Sequence, residues 1–181
     1  VLPEPFIAYW KDYCYKHNFI CPQILVKGGI TRFHSVRNAL AKVPDDATVA
    51  IHDGVRPLVT VELLRNIFEL SENEPALIPV VPCIDTMKVL KEEGGKLVAV
   101  PGASVDRSVL FGAQTPQVFH SEIIKEAYSL AYDTSFTDDA SVLERYGKSL
   151  SYIHGERLNM KITTKEDLVL ARAILSLSSF S

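Results

Sequence analysis

The stretch Val49-Ala50-Ile51-His52-Asp53-Gly54-Val55-Arg56-Pro57 runs apolar and then closes on an acid, a glycine, an arginine and a proline. In an open α/β sheet, ligands gather beyond the carboxyl ends of the strands. An Asp at that end of a buried strand can hold Mg²⁺ or a sugar hydroxyl. An Arg three residues later can grip a phosphate with both arms of its fork. A solvated Asp–Arg pair in a plain turn is the ordinary alternative and contributes little, so the rest of the chain has to decide.

Six other places carry groups of the same kind. Gly28-Gly29-Ile30-Thr31-Arg32-Phe33-His34-Ser35 links a strand-like run to a helix-like one; its glycines permit close backbone approach, and a helix start favours an anion or a base edge. Ile84-Asp85-Thr86-Met87-Lys88 and Val105-Asp106-Arg107-Ser108 place charged and hydroxyl groups at either root of a glycine-centred segment. Gly112-Ala113-Gln114-Thr115-Pro116-Gln117 is dense in hydrogen-bonding groups, where an edge strand or bulge is the plain structural reading. Thr137 sits at a helix start and Lys161 in Asn159-Met160-Lys161-Ile162-Thr163; a cap and a solvated lysine are their usual roles. His52 is expected to pack or hydrogen-bond beneath the loop bearing Asp53. His17, His34, His52, His120 and His154 form no metal-like cluster by spacing.

Strands and helices in alternation are needed to bring these groups together. Helices are expected over Pro5 to about Asn18, from the Thr31 cap to about Lys42, from the Thr60 cap to about Ser71, over Ser121 to Ala131, from Thr137-Asp138-Asp139 to Gly147, and from Thr164 onward. Strands are expected at Gln23–Lys27, Thr48–His52, Ala76–Val81 and Ser149–His154. The βαβα rhythm gives an α/β fold, a Rossmann-like mostly parallel sheet with helices on both faces. Thr86–Lys91 and Lys96–Val100 flank Glu92-Glu93-Gly94-Gly95 and read as a protruding β-hairpin arm within about 82–110. An arm with apolar residues and unpaired edges is suited to pairing with another subunit, so a homodimer is expected.

At 181 residues and 47% hydrophobic content the chain is one globular domain, 1–181. No apolar run reaches membrane-spanning length, and a net charge of −3 argues against general nucleic-acid binding. Cys14, Cys21 and Cys83 are odd in number and form no CxxC, which fits free thiols in a reducing cytoplasm. Val1-Leu2-Pro3 resembles neither an initiator nor a signal peptide, and reads as the tail of a strand in an N-terminally incomplete domain.

The segments GGITRFHSV, AIHDGVRP, IDTMK, VDRSVLFGAQTPQVF, TDDASVLE and NMKITTKEDL, in that order, resemble the 2-C-methyl-D-erythritol 4-phosphate cytidylyltransferase family from Gln23 onward. The resemblance implies transfer of a cytidylyl group from CTP to methylerythritol phosphate with release of pyrophosphate, in non-mevalonate isoprenoid biosynthesis. It implies Mg²⁺ at Asp53, and catalytic roles for Asp53, Arg107 and Lys161. Gly29 and Ser35 would meet the cytosine or its ribose; Arg56, Thr86, Thr115 and Thr137 would surround the sugar phosphate with Arg107 and Lys161. In such a family the arm crosses to the other subunit, so Thr86 would serve the neighbour's site.

The family's glycine-rich phosphate loop, with its Arg and Lys, has no counterpart among these residues. Lys11 and Lys16 lie on a helix and cannot replace it. The 181 residues by themselves are therefore expected to show negligible turnover and a sheet lacking a central strand. A ribitol 5-phosphate cytidylyltransferase is the nearest rival, against which Val105–Ser108 leading into Ala113–Pro116 looks more like the methylerythritol type. A non-catalytic nucleotide- or sugar-phosphate-binding remnant is the other alternative; a pure scaffold has no use for the convergent set Asp53, Arg56, Arg107 and Lys161.

Overall fold

The computed structural model describes residues 1–178. Apolar residues of the central strands alternate between two cores. Ala76, Ile78 and Phe119 face one core with Phe33, Leu40, Ile124, Ala127, Tyr128, Val142 and Leu143. Leu77 and Val118 face the other with Ile67. That period of two puts helices on both faces of one sheet, as the sequence predicts.

The helices are α1 (Glu4–Lys16), α2 (Arg32–Leu40), α3 (Val61–Leu70), α4 (Ser121–Ala127), α5 (Asp139–Arg145) and α6 (Lys165–Ser178). The caps are those the sequence predicts: the Thr31 hydroxyl accepts from His34 N, and that of Thr60 accepts from Leu63 N at 3.0 Å. At α5 the cap is Asp138, whose carboxylate accepts from Ser141 N at 2.9 Å. That leaves Asp139 in the first turn, buried. Gly147 closes α5 at φ 88°.

The sheet contains β1 (Thr48–Ile51), β2 (Ala76–Pro82), β5 (Phe111–Ala113), β6 (Gln117–His120) and β7 (Ser151–His154). β7 is parallel to β2, while β6 is antiparallel to both β1 and β2, so β1, β2 and β7 point the same way. β5 and β6 follow the same side of β2 as one interrupted antiparallel strand. From the Leu77–Val118 pair to the Val80–Ala113 pair, β2 advances three residues and its partner five. The two extra residues make a bulge at Gln114–Pro116, where the Thr115–Pro116 bond is cis.

Two expectations need correction. Gln23–Lys27 is not a strand: among the described residues Lys27 forms only an isolated bridge with Leu2. One bridge gives no ladder to hold an extended run, so its apolar pattern alone does not make a strand. The arm is a hairpin, but its paired strands are β3 (Leu90–Glu93) and β4 (Lys96–Ala99), with Thr86–Val89 outside the ladder. Gly94 and Gly95, at φ 56° and 75°, form the two-residue turn that this register requires. No described helix is long and apolar enough to cross a membrane.

Candidate functional site

The functional groups collect where β1 and β7 end. After β1 the chain turns so that Arg56 N donates to Asp53 O at 2.9 Å. After β7 it returns past this turn, and Ile162 N donates to Val55 O at 2.8 Å, bringing Lys161 alongside. The bulge supplies Thr115, whose hydroxyl accepts from Asp53 N at 3.0 Å. His52 lies beneath, its Nδ1 3.0 Å from the Thr115 hydroxyl and its Nε2 2.9 Å from Arg56 O. This is the supporting role its sequence position suggests.

Three cations converge on the Asp53 carboxylate. Lys161 Nζ lies 3.2 Å and Arg56 Nε 3.7 Å from Oδ2, and Arg32 Nε lies 3.4 Å from Oδ1. Burial alone would raise the Asp53 pKa; the hydrogen bond from Lys161 and the charges of Arg32, Lys161 and Arg56 outweigh it and hold the carboxyl below its ordinary value. Burial also lowers the Arg56 pKa, against the opposing pull of Asp53. Arg56 Nη1 donates to Asn159 O at 2.8 Å, whereas its buried Nε has no hydrogen-bond acceptor.

A layer of buried amides fixes this arrangement from below. Asn159, fully buried, donates to Thr115 O at 2.8 Å. Gln114 donates to Glu156 O at 2.8 Å and accepts from Glu156 N at 3.1 Å. Gln117 donates to the Asp138 carboxylate at 2.7 Å and accepts from Ala140 N at 2.9 Å, tying the start of α5 to the sheet. The glutamines stand out in the sequence as hydrogen-bonding groups. Asn159 does not, because one Asn in a loop carries no periodic signal.

Two depressions meet at the carboxylate. One of about 270 Å³ is lined by Arg56, Thr115, Gln117, Thr137 and Asp138. The other, of about 500 Å³, runs beside α2 and β1 and includes Ser35 and Val55. Arg32, Asp53 and Lys161 line both. The structure thus brings together Asp53, Arg56, Thr115, Thr137, Lys161 and Ser35. Gly29, Thr86 and Arg107 line neither depression; Arg107 Nη1 donates to Ile84 O at 2.7 Å at the root of the arm.

Gly29 N donates to the Ser35 hydroxyl at 3.0 Å, which in turn donates to Thr31 O at 2.9 Å. A Cβ on Gly29 would overlap the His34 side chain and lie 2.9 Å from its carbonyl carbon, whereas one on Gly28 would meet nothing nearer than the Ser35 hydroxyl at 3.4 Å. Gly29→Ala is therefore expected to displace the first turn of α2 and cost about 1–3 kcal/mol of stability, with Gly28→Ala much milder. Thermal unfolding of the pair, compared with the unsubstituted chain, checks the difference.

A divalent ion fits this donor set only in company. Among the described residues no group of three or more His, Cys, Asp and Glu could enclose one, and Asp53 alone faces three cations. Mg²⁺ commonly takes one or two carboxylates and fills its remaining positions with water and phosphate oxygens. An ion that arrives on a polyphosphate enters this cationic setting with the phosphates' negative charge around it; a bare ion meets repulsion.

The chain matches the family described as 2-C-methyl-D-erythritol 4-phosphate cytidylyltransferase over residues 12–177. It is 42% identical over 175 residues to the enzyme of that name from Bacteroides thetaiotaomicron, covering 97% of this chain and 77% of the relative. The Porphyromonas gingivalis enzyme is 42% identical over 177 residues, with the same coverage. Among solved structures, 4-diphosphocytidyl-2C-methyl-D-erythritol synthase from Anaerococcus prevotii superimposes with a TM-score of 0.79 at 29% identity, covering 97% of this chain and 80% of that one. The Thermus thermophilus cytidylyltransferase gives 0.71 at 30% identity, covering 84% and 73%.

Proposed function

The chain belongs to the 2-C-methyl-D-erythritol 4-phosphate cytidylyltransferase family, and on that premise we propose that CTP and the sugar phosphate meet at Asp53, one in each of the two depressions. The family reaction is CTP-dependent cytidylyl transfer to methylerythritol phosphate in isoprenoid biosynthesis. The observation that carries the assignment of places is the wall of Arg32, Asp53 and Lys161 common to both depressions. The larger one, beside Ser35 and the Gly29 turn, takes the cytidine. The smaller one, with Arg56, Thr115 and Thr137, takes the methylerythritol phosphate.

In this reading an oxygen of the sugar phosphate attacks the α-phosphorus of CTP. The new P–O bond forms as the α–β bridge breaks in line, and pyrophosphate leaves with the bridging oxygen. Such chemistry depends on alignment and on stabilising negative charge. Lys161 and Arg32 lie at the junction to do the second, and Arg56 holds the acceptor phosphate. Mg²⁺ carried by the nucleotide, with Asp53 as its protein ligand, would neutralise phosphate charge. Calorimetric titration with the rival acceptors is the test. Methylerythritol phosphate is expected to bind at least about tenfold tighter than ribitol 5-phosphate, a difference of about 1.4 kcal/mol; the reverse order would overturn the substrate assignment.

The same reading makes the protein a cytoplasmic homodimer of single-domain subunits, with Thr86 and Arg107 offered by the arm to the partner's site. It is supported by the arm itself: every residue of β3 and β4 is exposed, Leu97 at 73%, and these strands pair only with each other among the described residues. Light scattering at micromolar concentration is expected to give a dimer, and Leu97→Glu a shift toward monomer. A monomer at those concentrations without any substitution would rule the arrangement out.

A further inference from the structure

Arg32 has a second, deeper set of partners. Its Nη1 and Nη2 donate to the two carboxylate oxygens of Asp139 at 3.0 and 2.6 Å, a bidentate grip on a side chain with 0% exposure. The Tyr128 hydroxyl donates to Asp139 Oδ1 from the other side, and the Tyr128 ring stacks on Phe33 at 4.7 Å between centroids. Burial opposes the charge on Arg32, yet the hydrogen bond and charge of Asp139, and then Asp53, hold its pKa above the ordinary value. The Tyr128 pKa is raised by burial and by Asp139, so its proton stays in place as a donor.

A buried ion pair of this kind is often no more stabilising than a packed apolar pair. Its geometry here has a directional result. A guanidinium is planar, and fixing both Nη atoms fixes where Nε points, which is at Asp53. The remaining Nη protons sit on a side chain that lines both depressions. Arg32 begins α2 and Asp139 begins α5, so the pair also sets the two helix starts against each other.

We infer that Asp139 and Tyr128 are positioning residues that aim Arg32 at the junction of the two depressions, where it meets phosphate oxygens of the ligands. This rests on the reading of that junction as the meeting place of the substrates. Charge alone does not account for it: three cations against Asp53 and Asp139 leave one net positive charge, and a lysine at position 32 would keep that balance while losing the fork.

The test pairs a spectroscopic readout with an affinity, using inorganic pyrophosphate as the polyanion probe. In ¹⁵N spectra the Arg32 Nη protons are expected to give separate, slowly exchanging signals in the unsubstituted chain and averaged ones in Tyr128→Phe. Calorimetry should show pyrophosphate binding about tenfold weaker in Tyr128→Phe and in Arg32→Lys, the loss expected for one misaligned charge-assisted hydrogen bond. Tyr128→Phe keeps the ring against Phe33, so its fold should survive; Asp139→Asn is the stronger but less conservative variant. Unchanged affinity in Tyr128→Phe or in Arg32→Lys overturns the inference, whatever the spectra show. Weakened pyrophosphate binding in both variants, with methylerythritol phosphate binding absent in the unsubstituted chain, would support the aiming of Arg32 while refuting the substrate assignment.

Discussion

Asp53→Asn is expected to split two properties that ordinarily fall together. Binding of simple anions such as pyrophosphate should strengthen, by a few-fold to about tenfold, because Arg32, Arg56 and Lys161 lose the carboxylate that now neutralises them. The Mg²⁺-dependent part of CTP binding should vanish, since no other carboxylate in the cluster is free: Asp139 is committed to Arg32 and Tyr128, and Asp138 to the α5 cap and Gln117. Any cytidylyl transfer should fall by at least about a hundredfold, in the range seen when one transition-state electrostatic contact is removed. Calorimetry with and without Mg²⁺ separates these outcomes. CTP binding that keeps its full Mg²⁺ response would remove Asp53 as the metal ligand, and weaker pyrophosphate binding would remove it as the counterion of the three cations.

The second large effect lies below the site. Asn159→Leu keeps the side chain's heavy-atom count while enlarging it, and deprives Thr115 O of its donor in a position with no solvent to replace it. An unsatisfied buried carbonyl costs about 1–3 kcal/mol. A branched apolar group among Gln114, Glu156 and Arg56 should bring the total loss to roughly 2–4 kcal/mol. Arg56 Nη1 is held by the main-chain carbonyl of residue 159, which the substitution keeps but whose position the lost side-chain bonds no longer fix, so methylerythritol phosphate affinity should fall as well. Chemical denaturation and titration of the same variant test both halves. A stable protein with unaltered affinity would show that the amide layer does not position Arg56.

The parts of this site that can be read in the sequence are those with a local cause. An acid placed after the apolar run Val49–Ile51, with Arg56 three residues on, signals a ligand turn because strand ends face the binding crevice. Thr31 and Thr60 cap helices through bonds to residues three positions away. The paired glycines of the arm demand a turn. By contrast, Arg32 and Asp139 lie 107 residues apart, and no spacing rule joins them. A faint signal exists in Thr137-Asp138-Asp139: a helix start needs one acidic cap, and the second acid is left for another partner. The expected strand at Gln23–Lys27 misleads for a related reason. A short apolar run reports what a segment can bury, while a strand also requires a neighbour along its length, and only Leu2 is placed to provide one among the described residues.

The most direct test of the whole account is to ask where the two substrates land. Adding methylerythritol phosphate, and then CTP with Mg²⁺, to isotope-labelled protein should produce saturable NMR shifts centred on Asp53. The first ligand should move the signals of Arg56, Thr115 and Thr137. The second should move those of Gly29 and Ser35, with Arg32 and Lys161 responding to both. Saturable shifts confined elsewhere, for instance to the apolar depression of about 680 Å³ lined by Phe111, Tyr152 and His154, with the Asp53 cluster unperturbed, would contradict it.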